Sequence, residues 1–145
     1  MKIIVDADAC PVKEIIEVLA ERKDIKVIMV SNYSHQISSH YAEKVVVDKE
    51  SQAADITIAN MTEPSDIIVT QDYGLASIVL GKGAAAVNPS GKIYTEQNID
   101  MLLMQRYLNT KARQAGQKHI NPKKRTVNDN NRFEQSFKLL LDKKE

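Results

Sequence analysis

The sequence predicts an α/β domain, a three-layer α/β/α arrangement around a mostly parallel sheet. Three observations predict it. Short apolar runs of strand length alternate with segments of helical spacing four times over, and strands joined by helical crossovers run parallel. The first run, residues 2–5, is apolar after Lys2 with no alternation, as a strand covered on both faces is. With 145 residues, 43% hydrophobic and 27% charged, the chain can bury one core without a disulfide or a structural metal.

The elements follow in order. After the strand at 2–5 comes Asp6-Ala7-Asp8-Ala9-Cys10-Pro11; proline suits a first helical turn, and Val12, Ile15, Ile16, Leu19 and Ala20 keep helical spacing to Lys23. A second strand is expected at 25–30, a loop at 31–34 and a third strand at 44–47. A helix of small residues spans 51–61, a fourth strand 67–70 and a helix 74–80, stopped by Gly81-Lys82-Gly83. The fifth strand, 84–87, leads through the turn Asn88-Pro89-Ser90-Gly91 to a short strand at 92–94. A long amphipathic helix then runs from Thr95 towards Gly116. Residues 1–116 make the α/β core, 117–131 a polar basic loop, and 132–145 a C-terminal segment. The helix of that segment, 132–143, turns Phe133, Phe137 and Leu140 onto the same domain.

Composition narrows the function. The one cysteine, Cys10, excludes a disulfide framework and a multi-cysteine zinc site. The longest apolar runs are too short to cross a bilayer, and Lys2 and Asp6 precede any segment of signal-peptide length. A cytoplasmic domain of bacterial type, with no membrane partner, is expected. The net charge of +1 conceals a split. Residues 1–105 carry 9 Lys and Arg against 15 Asp and Glu, and residues 106–145 carry 11 against 4. An acidic body suits a cation and a basic tail an anionic partner, although a solvated charged face explains the same split.

The acids have a pattern. Asp6 and Asp8 follow the first strand and Asp72 follows the fourth, so both sets fall at the carboxyl edge of the sheet, where open α/β sheets bind ligands. Asp55 sits near the start of the small-residue helix. Carboxylates converging from separate elements repel one another unless a cation joins them, and hard oxygen donors suit Mg²⁺ or Mn²⁺. Such a site polarises a phosphodiester and activates water. Structural roles stay open: Asp72 suits a helix N-cap, Asp8 a turn acceptor and Asp55 a first helical turn. Asp6, at the end of a core strand, is costly to bury without a partner.

The strings Val5-Asp6-Ala7-Asp8-Ala9-Cys10-Pro11, Asp66-Ile67-Ile68-Val69-Thr70-Gln71-Asp72 and Gly83-Ala84-Ala85-Ala86-Val87-Asn88-Pro89-Ser90-Gly91 resemble the YaiI/YqxD family of uncharacterised bacterial proteins. That family is usually placed near the PIN and NYN nuclease-like domains. Those domains carry an acid after strand one, a second at the start of a middle helix and a third in a Thr-x-Asp segment after strand four. Asp6, Asp55 and Asp72 match these positions, with Asp8 beside the first. The resemblance implies a PIN-like fold and a Mg²⁺- or Mn²⁺-dependent, RNase-type site, with Asp6, Asp55 and Asp72 on the metal and Asp8 assisting. Two departures stand out: Gln52 replaces an acid common three residues before Asp55, and His119-Ile120-Asn121-Pro122 replaces the tail's usual Gly-Gly-Pro.

In the basic tail, Lys111, Arg113, Lys118, Lys123, Lys124 and Arg125 are the candidate contacts to a nucleic-acid backbone, RNA in the first instance. A protein that binds nucleic acid or regulates without catalysis is the alternative. A lesser one is a haloacid-dehalogenase-like phosphatase, with Asp6 as nucleophile, Asp8 as acid-base and Ser31 on the phosphate. Cys10 reads as a small buried hydrophobe, and His35 and His40 match no zinc spacing.

Overall fold

The computed structural model describes residues 1–32, 39–50, 52–116 and 124–143. Its strands are β1 (Lys2–Asp6), β2 (Lys26–Asn32), β3 (Glu43–Val47), β4 (Ile67–Val69), β5 (Ala85–Val87) and β6 (Ile93–Tyr94). The helices are α1 (Lys13–Arg22), α2 (Ala53–Met61), α3 (Tyr73–Gly81), α4 (Glu96–Gln114) and α5 (Val127–Lys143), with one 3₁₀ turn at Ala7–Ala9. The strands form one sheet in the order β3-β2-β1-β4-β5-β6. All neighbours are parallel except β5 and β6. The α/β class and the mostly parallel sheet expected from the sequence are therefore present.

The period of two along each strand sorts side chains between two cores. Ile3 and Val5 join Val27, Met29, Ile67 and Val69 on one face, against Ile16 and Leu19 of α1 and Phe133, Phe137, Leu140 and Leu141 of α5. On the other face Ile4 joins Ile28, Val30 and Ile68, against Ile58 of α2, Leu75 and Val79 of α3, and Ile99 and Leu102 of α4. Two helices thus cover one side and three the other.

Boundaries differ from the sequence expectation where tertiary pairing decides. Ser31 and Asn32, expected in a loop, extend β2 because Val46 and Val47 of β3 pair with them. The last helix begins at Val127 rather than Arg132. Thr126 donates its backbone amide to the Asp129 carboxylate, 2.8 Å, an acid in the first turn that favours an earlier start. The link from β2 to β3 contains no helix among the described residues, so the crossovers with a described helix are β1-α1-β2, β3-α2-β4 and β4-α3-β5. Gly81 ends α3 and Gly83 turns at a φ of +87°, the stop expected there.

The C-terminal helix is fastened to the turn between β5 and β6. Gly91 has a φ of +96°, and a Cβ on it would lie 2.7 Å from the carbonyl carbon of Arg132. Ser136 Oγ donates to the Gly91 carbonyl at 2.5 Å, and Arg125 donates to the Pro89 carbonyl at 2.8 Å. Phe133 and Phe137 stack beneath this contact at 5.3 Å between ring centres. Among the described residues no helix is long and apolar enough to cross a membrane.

Candidate active site

The sheet reverses its winding between β1 and β4: β1 leads outward to β2 and β3 on one side, and β4 to β5 on the other. The crevice beyond such a switch point is where the carboxyl ends of two strands splay apart. Asp6 ends β1 there, and Thr70 follows β4.

Thr70 is buried and held at four points. Its amide donates to Val87 (3.0 Å), and its carbonyl accepts from the Tyr94 hydroxyl (3.1 Å). Its own hydroxyl donates to Asp6 Oδ2 at 3.0 Å and accepts from the Asp72 amide at 3.0 Å. One side chain thus sets the positions of two of the acids. Tyr94 is itself fixed by Asn88 (2.8 Å), and burial pushes its phenol up to about 12.

Asp72 caps α3, accepting from the Leu75 amide at 3.2 Å. The structural role open from the sequence is real. Asp55, in the first turn of α2, shares a side-chain hydrogen bond with Asp72. Its carboxyl is pushed from 3.8 up to about 6, first by burial, then by that hydrogen bond and the charges of Asp72 and Asp6; Arg106 opposes the shift. Asp6 is raised in the same direction, by burial first and by the charges of Asp8 and Asp72, against the Thr70 hydrogen bond. Asp6, Asp55 and Asp72 therefore lie in one another's field, as their strand-end and helix-start positions predict.

Asp8 adds its charge to Asp6 but bonds to β2. Its carboxylate accepts from the Asn32 amide at 3.0 Å and from Asn32 Nδ2 at 3.2 Å, tying the 3₁₀ turn to the end of β2, and its acceptance is long-range rather than local. Ser31 is buried within β2. Cys10 is buried in the α1–α5 core, and burial pushes its thiol up. His40 is an exposed partner of Glu21, and His35 lies outside the described residues.

A cleft of about 460 Å³ opens beside the acids, with Asp55, Asp72 and Arg106 on its polar wall and Ile56 and Ile78 on its apolar one. Gln52 also lines it. Arg106 approaches Asp72 to 3.9 Å. Sequence reasoning placed Arg106 only on an amphipathic helix; the available signal was that it continues the stripe of Ile99 and Leu102 at helical spacing.

Among the described residues, no three His, Cys, Asp or Glu side chains gather closely enough to form a ready metal cage. Mg²⁺, however, is ordinarily held by one or two carboxylates, with water and substrate phosphate completing the shell. The Asp55–Asp72 pair, with Asp6 in the same field, fits that kind of site. The mutual repulsion that raises Asp55 is the kind a cation relieves.

The predicted nucleic-acid contacts are scattered. Lys111 lies over the Tyr107 ring at 5.6 Å, and Arg113 and Lys124 are exposed. Arg125 is engaged within the fold, by Pro89 and by Asn130 at 2.9 Å. Lys118 and Lys123 lie outside the described residues.

Residues 4–143 match a family described as the uncharacterised bacterial YaiI/YqxD family. The chain is similar to a UPF0178 protein of Clostridium novyi strain NT, 48% identical over 99% of this chain and 96% of the relative. A UPF0178 protein of Lachnoclostridium phytofermentans is 48% identical over 97% of each chain. Another, of Clostridium tetani, is 44% identical over 99% and 98%. No solved structure gives a significant match.

Proposed function

The chain belongs to the YaiI/YqxD family, and we propose that it is a cytoplasmic, Mg²⁺- or Mn²⁺-dependent nuclease of PIN-like type that hydrolyses RNA phosphodiesters. The observation that carries this reading is the pairing of two carboxylates from separate elements, Asp55 of α2 and Asp72 ahead of α3, on one cleft, with the charge of Asp6 at the end of β1 acting on both. The choice of RNA rests on the resemblance to PIN-like domains.

Asp55 and Asp72 would hold the metal from the cleft wall, and Asp6 would add its charge from the strand end. When bound, Mg²⁺ or Mn²⁺ neutralises charge on the scissile phosphate and acidifies the attacking water. Thr70 keeps Asp6 and Asp72 in register, so little reorganisation accompanies binding. Arg106 presents a planar guanidinium beside Asp72, suited to a phosphate oxygen. Asp8 acts on the turn that carries Asp6, through Asn32.

The test is cleavage of end-labelled RNA with Mg²⁺ or Mn²⁺ by the wild type, Asp6→Asn and Asp72→Asn, with folding checked by circular dichroism. Metal-dependent cleavage that both variants lose while folded supports the reading. Cleavage that survives both substitutions refutes it, and RNA binding without any cleavage points to the non-catalytic alternative.

A further inference from the structure

We propose that the C-terminal half of α4 is the track on which the substrate's sugar-phosphate backbone lies, entering the acidic cleft at Arg106. This deepens the nuclease reading and rests on it for the identity of the strand. Along α4, Ile99, Leu102, Arg106, Asn109 and Arg113 fall at successive three- and four-residue steps, so they share one face. The first two are buried against the sheet. The same stripe turns polar and cationic from Arg106 onward, where the helix has run past the core.

A second groove, of about 310 Å³, lies along that stripe and is lined by Tyr73, Leu102, Gln105, Arg106, Asn109 and Arg113. Arg106 lines both this groove and the acidic cleft, so the two adjoin at this residue. Arg106 and Arg113 are seven residues apart, about 10.5 Å along the helix axis, and therefore serve different phosphates. Tyr73, partly buried against Tyr94 at 5.9 Å, offers a ring in the groove for a base. Gln105 and Asn109 supply amide donors. From 101 to 128 the chain carries seven cations and no carboxylate, so nothing acidic on this stretch opposes a polyanion. Arg125, by contrast, is already bonded to Pro89 and Asn130.

The experiment is fluorescence anisotropy of a fluorescein-labelled oligouridylate with the full chain in EDTA, so that binding is read without cleavage, at a series of salt concentrations. Arg106→Gln and Arg113→Gln each weaken binding several-fold. Each also lowers the slope of log affinity against log salt by about 0.7, the release expected for one single-strand phosphate contact. Wild-type affinity and slope in both variants, or no binding by the wild type, overturn the track. Metal-dependent RNA cleavage with an indifferent α4 leaves the nuclease reading standing without the track. Binding that depends on α4, with no cleavage in Mg²⁺ or Mn²⁺, keeps the track and removes the nuclease.

Discussion

Thr70 shows how much of the site depends on a single hydroxyl. It serves Asp6 as donor and the Asp72 amide as acceptor while 1% exposed. Thr70→Val keeps the shape and strands both partners, so unfolding in urea is expected to show a loss of about 1–3 kcal/mol; an unchanged midpoint contradicts the arrangement. Asp55 makes the electrostatic prediction. Its folded-state value of about 6 lies above the ordinary 3.8, so the folded chain binds that proton more tightly than the unfolded one. The stability it contributes is full below about pH 4 and is lost as pH rises through about 6. In metal-free buffer, Asp55→Asn therefore gains on the wild type between pH 4 and 7. A difference that stays constant across that range in urea titrations refutes the shared field. Asp6 was legible because a charge directly after an apolar strand run is anomalous, and Asp55 and Asp72 because they match the acids of the family the strings resemble. The hydrogen bonds of Thr70 and the place of Arg106 were not, because a threonine in a Thr-x-Asp segment and an arginine on an amphipathic helix acquire neighbours only through tertiary contacts.

At the scale of elements, the turn between β5 and β6 and the helix α5 depend on each other. Gly91 combines a positive φ with an approach that leaves no space for a Cβ. Gly91→Ala is expected to cost more than about 1 kcal/mol, and Phe133→Ala, which empties a fully buried site, about 3–5 kcal/mol. Urea unfolding measures both, and wild-type stability in either would mean that α5 is not docked as described. The strands and helices of the core were legible because their apolar spacing is decided locally, by a period of two or of three to four. The ends were not. Asn32 becomes strand because β3 pairs with it and Asp8 bonds to it, and Val127 becomes helix six residues before the first phenylalanine of its apolar face. The first is settled by partners distant in sequence, the second by the Thr126–Asp129 bond of its first turn.

For the whole molecule, the split between an acidic body and a basic tail resolves into a spatial arrangement. Asp55 and Asp72 share one cleft, and the cations of α4 begin at its edge with Arg106. The sequence supplied the two charges, but only the path of α4 over α3 brings them together. The central claim is that the cleft is a divalent-cation site, and the most direct measurement is a calorimetric titration of Mn²⁺ into the wild type, Asp6→Asn and Asp55→Asn at neutral pH, with folding checked for each. The account predicts saturable binding by the wild type that both variants weaken or lose while remaining folded. No binding by the folded wild type at millimolar metal, or equal binding by all three chains, would contradict it.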